Sequence, residues 1–278
     1  MKNSIFITII LFFGFLLNSC SEEHVSLSLV QSELPHINFQ GFNIPKFPTA
    51  LGQLNYAKSG FVDSKEKKAA LEIIPSLFPE SQVQCGHAAL NLAYMKLGHD
   101  YRFANQHDFY NAISSYHEVI RNYPKYPQIL VQANWYLGWI HCDLLNSKKT
   151  GMKYFWHIVK TWPETKMGIS SPVPWVSLVY PSVMKSEQSA KSKKSVYWAG
   201  LALLEIIRHT ENKDESLKAF DLLWEKYNKT ILTGLALNLM LENKEVKAEI
   251  VSFVKPYLEF NVANKYLARQ IYNHTKEK

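Results

Sequence analysis

Apolar residues recur in the middle of the chain with the spacing of one helical face. Four segments carry them at or near positions i, i+3, i+4 and i+7. They are Leu71, Ile74 and Phe78, interrupted by Pro75; Tyr116, Val119, Ile120 and Tyr123; Phe155, Ile158, Val159 and Trp162; and Phe220, Leu223, Trp224 and Tyr227. A proline follows the last aromatic residue of the first three segments, and proline cannot continue a helix. The pattern predicts helices that end at these aromatic residues.

A partner helix is predicted before the second and the third segment. These partners cover residues 85–105 and 129–145, where small and apolar residues again follow a helical spacing. After residue 228, the stretches 231–242, 245–258 and 261–275 favour three more helices. The last of them is polar, as expected for the cap of a helical array. Each aromatic segment is therefore interpreted as the second helix of a helix-turn-helix unit.

The interval between the third and fourth segments is longer than the others. The excess lies in residues 169–194, which hold three prolines and several aromatic residues before a polar run that ends in two lysines. This composition predicts an inserted, Pro-rich loop. We expect its apolar half to pack on the helices and its Ser/Lys-rich half to lie in water.

The helix pairs resemble the tetratricopeptide repeat. In that family a Leu-Gly pair in the first helix is followed by a small residue, an aromatic residue four positions later and a proline eight positions after that. Two copies match: Leu137-Gly138 with Gly151, Phe155 and Pro163, and Leu97-Gly98 with Ala112, Tyr116 and Pro124. The resemblance implies an all-α, tetratricopeptide-like solenoid over residues 46–278, with the inserted loop and C-terminal capping helices.

The first twenty residues carry the pattern of a targeting signal. Lys2 precedes an apolar run from Ile5 to Leu17, which is shorter than the roughly 20 residues that cross a bilayer and typical of a cleavable secretory signal. The sequence Leu17-Asn18-Ser19-Cys20 resembles the lipobox of bacterial lipoprotein precursors. The resemblance implies a signal peptide over 1–19 and acyl chains, palmitate among them, on Cys20. Residues 20–45 are then predicted to tether the domain to this lipid anchor.

Net charge and cysteine content indicate which classes of binding partner and which cysteine states to expect. The formal net charge of +7 is a modest excess that favours anionic lipid or polymer surfaces, and we expect no nucleic acid as a partner of a secreted lipoprotein. Cys85 and Cys142 lie in apolar, helical contexts outside any Cys-x-x-Cys motif. They are predicted to be buried free thiols, with pairing in an oxidising compartment as the alternative.

The motifs of common enzyme classes are not found in the sequence. We therefore expect no catalytic residue and no cofactor. We also expect no metal site, because His141 and His157 lie on consecutive helices without a third ligand. Glu80-Ser81 resembles the Glu-Ser pair of lytic transglycosylases, but it lies in a turn and lacks the glycine-rich and aromatic context of that family. Asp108 is interpreted as a residue of a polar loop or a helix cap.

The candidate binding residues lie on the concave face that the repeat resemblance implies. They are Gln132, Trp135, Trp139 and Asp143 in one unit, and Met95 and Arg102 in the preceding unit. Two tryptophans one turn apart on an open surface would anchor a partner segment. The alternative is that the 169–194 loop covers both indole rings.

The anchor and the helix endings together resemble the outer-membrane assembly lipoproteins of the BamD-like family. This resemblance covers residues 63–168 and rests on Phe78-Pro79-Glu80-Ser81, on Tyr123-Pro124-x-x-Pro127 and on Ala133 with Leu137-Gly138. It implies a lipid-anchored scaffold at the outer membrane of the bacterial cell envelope that binds protein or peptide partners in membrane assembly or maintenance. The alternative function is a helical domain of, or accessory to, a peptidoglycan-acting enzyme.

Overall fold

The fold is mostly helical. The computed structural model describes residues 34–59, 62–98, 104–167, 197–227 and 231–242, with the isolated residue 252, and 73% of the described residues are helical. This confirms the all-α fold class. The chain divides into two compact units, one up to Ala88 and one from Ala89 onward.

The first unit contains a β-hairpin and three helices. Strand β1 (His36–Phe39) pairs antiparallel with β2 (Phe42–Pro45). Helices α1 (Ala50–Lys58), α2 (Ser64–Glu72) and α3 (Ile74–Leu77) follow. Thr49 caps the start of α1 and Asp63 caps the start of α2, each by accepting hydrogen bonds from backbone N–H groups of the first turn.

The hairpin lies in a segment that the sequence analysis assigned to the tether. Its two turn residues, Gln40 and Gly41, have φ angles of 53° and 81°, the positive values that two-residue hairpin turns require. Ile44 of β2 is buried and fixes one face of the hairpin on the unit. Each strand spans only four residues, too short for a clear alternation of polar and apolar positions, so the sequence pattern missed it.

The second unit is built of successive helices. Helix α4 (Gln82–Met95) contains the division between the two units. The elements that follow are α5 (Gln106–Asn122), α6 (Pro127–Trp139), a π-helical turn called π1 (Ile140–Leu144), α7 (Lys148–Thr161), α8 (Trp198–His209), α9 (Lys213–Tyr227) and α10 (Ile231–Glu242). From α5 onward, each helix packs against the next along the chain, and α8 also packs against α10.

Two kinds of helix alternate in this unit. Helices α6 and α8 are buried on all sides over Ile129–Trp139 and Trp198–Ile207. Helices α5, α7 and α9 bury one stripe and expose the other. A helix that is apolar all round belongs in a core, whereas an amphipathic helix covers one. The unit therefore has an inner set of helices and an outer, amphipathic set.

The predicted helix ends agree well with the structure in the second unit. Helix α5 stops before Tyr123-Pro124, α7 stops before Trp162-Pro163, and α10 has the predicted bounds. The helix predicted over 85–105 was too long, because α4 ends at Met95 and Gly98 adopts a φ of 82°. Glycine takes this left-handed conformation readily and commonly ends helices. The helices predicted over 245–258 and 261–275 lie outside the described residues.

A close approach of two helices lies at Gly138 and Gly151. A Cβ atom on Gly151 would lie 2.6 Å from the carbonyl oxygen of Gly138, and one on Gly138 would lie 2.7 Å from the Phe155 ring. Both glycines are therefore required by packing, and the aromatic ring fills the groove between α6 and α7. Between them, π1 widens the end of α6, with the Leu145 N–H donating to the carbonyl oxygen of Ile140 at 2.9 Å.

The described ends of the inserted segment lie together. Lys166 forms an antiparallel bridge with Tyr197, and the Trp198 N–H donates to the Thr165 carbonyl oxygen at 3.1 Å. The residues that flank the insertion, Thr165–Lys166 and Tyr197–Trp198, therefore lie next to each other. The predicted loop over 169–194 itself lies outside the described residues.

Replacing Gly151 with alanine tests this close approach. We expect Gly151→Ala to lower the free energy of unfolding by about 2 kcal/mol, because the new methyl group meets backbone that cannot move away. The matched control is Gly200→Ala, where the nearest atom is the flexible end of Leu232 at 3.0 Å. Urea denaturation of both variants measures the difference, and equal losses would contradict the packing described here.

Candidate functional site

Three of the predicted groove residues are in the core. Gln132 is 1% exposed, and Trp135 and Trp139 are both 0% exposed. Their assignment to an open binding surface is therefore wrong. Met95 is half-buried, and Arg102 lies outside the described residues.

The physical reason is that α6 packs against α5, α7 and α8. The Trp135 ring lies 6.2 Å from the Trp198 ring of α8 and 6.4 Å from the Phe155 ring of α7, measured between ring centroids. The alternative drawn from the sequence, coverage by the 169–194 loop, stays a prediction for the Trp135 indole. Trp198 is one of the residues that cover it, whereas residues 169–194 lie outside the described part of the chain.

Asp143 is the predicted groove residue that enters a polar site. It lies in π1, and its Oδ2 atom accepts a hydrogen bond from Nη2 of Arg208 at 2.8 Å and lies 3.2 Å from Nε2 of His209. Nη2 of Arg208 also donates to Oε2 of Glu205 at 2.5 Å, and His209 Nε2 lies 3.5 Å from the same oxygen. We call these four residues, Asp143, Glu205, Arg208 and His209, the carboxylate–histidine cluster.

The cluster combines burial with several charges. The side chain of Glu205 is 0% exposed, that of His209 is 10% exposed, and those of Arg208 and Asp143 are each 21% exposed. A buried carboxylate is unfavourable unless cations and hydrogen-bond donors compensate it. Arg208 and His209 follow Glu205 by three and four positions on α8, so one turn of helix supplies both compensating groups.

The pKa values within the cluster move in opposite directions. Burial alone would raise the pKa of Asp143, but the hydrogen bond with His209 and the charge of Arg208 outweigh burial, and the pKa lies below its usual value. Burial alone would lower the pKa of His209, but hydrogen bonds to Asp143 and Glu205 outweigh it, and the pKa lies above its usual value. The cluster therefore favours a charged Asp143 and a protonated His209.

Other titratable groups surround the cluster. Burial, together with the charges of Asp143 and Glu205, raises the pKa of the Cys142 thiol to about 12. Lys148 of α7 pairs with Glu211 at 2.6 Å, and Glu215 of α9 accepts hydrogen bonds from Thr210 and Trp156. The two described cysteines, Cys85 and Cys142, are buried and free, as the sequence predicted.

Three members of the cluster have the donor types of a metal site. One ligand atom each from Asp143, Glu205 and His209 lies within 4.8 Å of the others. The two histidines considered from sequence do not join them: His141 stacks on Tyr154 with a centroid distance of 5.7 Å, and His157 contacts Trp162.

Two further residues considered from the sequence, Asp108 and Glu80, lie in a helix cap and in a turn. Asp108 forms a capping box with Asn105 at the start of α5, which confirms its interpretation as a cap residue. Glu80 is exposed in the turn before α4, and the Gln82 amide donates to the Pro79 carbonyl oxygen there.

Sequence reasoning missed Glu205, Arg208 and His209, although a signal was present. Glu205 is the one charged residue within the apolar stretch Trp198–Ile207, and a charge on a fully apolar helix needs a partner. Arg208 and His209 follow Glu205 by three and four positions, so the spacing indicates two partners on the same helix. The third, Asp143, lies more than sixty positions earlier and could be found only in the folded chain.

The raised pKa of His209 gives the cluster a testable pH dependence. A group whose pKa rises on folding stabilises the protein below its unfolded pKa of about 6.5 and loses that contribution as the pH rises through the folded pKa. We expect wild type to exceed His209→Gln in unfolding free energy by on the order of 2 kcal/mol near pH 6 and by less above the folded pKa. Denaturant titrations with a chelator present measure the difference, and a difference that is independent of pH would contradict the assignment.

Among the described residues, no helix is long and apolar enough to cross a bilayer.

Neither a family model, nor a curated protein, nor a solved structure matches the chain. The chemistry attributed to the carboxylate–histidine cluster therefore rests on the distances, burial and charges of its own residues.

Proposed function

We propose that the protein is a lipid-anchored, helical-repeat scaffold that binds protein or peptide partners in the bacterial cell envelope, in outer-membrane assembly or maintenance. The observation that carries this proposal is the contact of Gly138, Gly151 and Phe155 between α6 and α7. The tetratricopeptide resemblance assigns these three positions to the close approach of two helices and to the filling of their groove. Repeats of this type commonly act as binding surfaces for other chains.

The order of helix packing supports the same proposal. Helices α5 to α10 contact mainly their neighbours along the chain, as stacked repeat units do. In the preceding unit, Ala112 and Tyr116 of α5 are both buried and the Tyr116 ring stacks on Tyr136 of α6 at 5.0 Å, whereas a Cβ atom on Gly98 would have no neighbour within 4 Å.

The burial of Trp135 and Trp139 changes where a partner would bind. Indole rings that already pack in the core contribute no new buried area on association, so the anchors of a partner must lie elsewhere. Met95 remains a candidate, since it is half-buried at the end of α4. Asp143 of π1 also remains a candidate, because its carboxylate is partly exposed.

Site-specific photocrosslinking in the native host tests the scaffold proposal. We expect a photoreactive amino acid at Met95 to give a discrete crosslink to an envelope protein. The matched control is Lys160, which is exposed on the outer helix α7 and should give none. Equal labelling at both positions, or peptidoglycan cleavage that is lost in Glu80→Gln, would contradict the scaffold and favour the enzyme-related alternative.

The anchor is tested separately through Cys20. We expect metabolic labelling with a palmitate analogue to modify the wild-type protein. The Cys20→Ala variant should lose both the label and its recovery in the membrane fraction, because acyl chains supply the membrane affinity. Cys142→Ala, which removes a buried thiol, serves as the control and should keep the label. An unlabelled wild-type chain would refute the lipid anchor.

A further inference from the structure

We propose that Asp143, Glu205 and His209 form a binding site for a divalent transition-metal ion of the Zn²⁺ class. Their ligand atoms lie within 4.8 Å of one another, so a single ion between them needs only small side-chain movements. The ligands come from two elements, π1 and the last turns of α8. This proposal is independent of the scaffold function and replaces the expectation, drawn from the sequence, that the chain holds no metal.

A second observation at Glu205 points to a missing ligand. The side chain is 0% exposed, and while its Oε2 atom accepts from Arg208, its Oε1 atom has no hydrogen-bond partner among the described residues. A buried carboxylate oxygen without a donor is costly, and native proteins rarely leave one so. Oε1 belongs to the same carboxylate that faces His209, so a cation bound by that carboxylate would compensate it.

Arg208 is the competitor of a metal ion at this site. Its Nη2 atom contacts both carboxylates, and a divalent ion placed between them would meet the guanidinium charge. The side chain is 21% exposed, so it is partly in contact with water. On binding, Nε2 of His209 donates its lone pair to the ion, any proton carried on that nitrogen passes to solvent, and the guanidinium moves away from the two carboxylates.

The donor set selects the class of ion. One imidazole nitrogen and two carboxylate oxygens match the ligands of Zn²⁺ and its neighbours in the first transition row, whereas Mg²⁺ and Ca²⁺ prefer oxygen alone. Three protein ligands leave the fourth position of a tetrahedral ion for water.

The experiment is a calorimetric titration of the purified full-length protein with Zn²⁺ alone, after removal of metals with a chelator. We expect saturable binding of one ion, and at least about tenfold weaker binding in Glu205→Gln and in His209→Gln. Arg208→Met should bind more tightly than wild type, because the competing cation is gone. The control His157→Gln replaces a histidine outside the cluster and should bind as wild type does.

The Arg208→Met arm separates a metal site from a purely structural ion-pair network. Loss of the arginine would weaken such a network and give no gain in zinc affinity. The proposal is overturned if wild type shows no saturable binding, if Glu205→Gln binds as tightly as wild type, or if Arg208→Met fails to bind more tightly. Should Glu205→Gln not fold, as judged by circular dichroism, Asp143→Asn replaces it with the same expected loss.

Discussion

The burial of one carboxylate governs the arrangement of the second unit. Glu205 lies on a helix whose other residues from Trp198 to Ile207 are uncharged and buried, and its side chain is fully excluded from water. An isolated ionised carboxylate in such a place would cost several kcal/mol or more. The chain compensates it with Arg208 and His209 from the next helical turn. Both side chains also contact Asp143, so compensation of the buried Glu205 carboxylate also links α8 to π1.

The position of Asp143 depends on how α6 and α7 pack. Gly138 and Gly151 allow the two helices to approach closely, and the turn between them contains π1, whose wider hydrogen bonds change the direction of the residues that follow. Trp139 is in the core, whereas four positions later Asp143 is partly exposed and meets the end of α8. π-helical turns of this kind often occur at functional sites, and here the turn brings a carboxylate to a cluster formed by a distant segment.

The sequence predicted local structure better than it predicted surfaces. Helical spacing and prolines identified the ends of α5 and α7, and the resemblance to a repeat identified Gly151 and Phe155 as packing residues, because both depend on nearby positions. The exposure of Trp135 depends on packing by Trp198, which follows a long insertion in the sequence. The spacing of residues within one helix does not predict such a contact. Only part of the cluster could be predicted from the sequence. Glu205, Arg208 and His209 share one helix, but Asp143 joins them only through the tertiary fold.

The central claim is that the carboxylate–histidine cluster acts as one linked unit between π1 and α8. A double-mutant cycle tests it directly, using Asp143→Asn, Arg208→Met and the double variant, with unfolding free energies measured by denaturant titration. Because Asp143 and Arg208 share a hydrogen bond of 2.8 Å, we expect a coupling free energy of about 1 kcal/mol, which is typical of residues in one network. Effects that add to within about 0.3 kcal/mol, as for distant sites, would contradict the account.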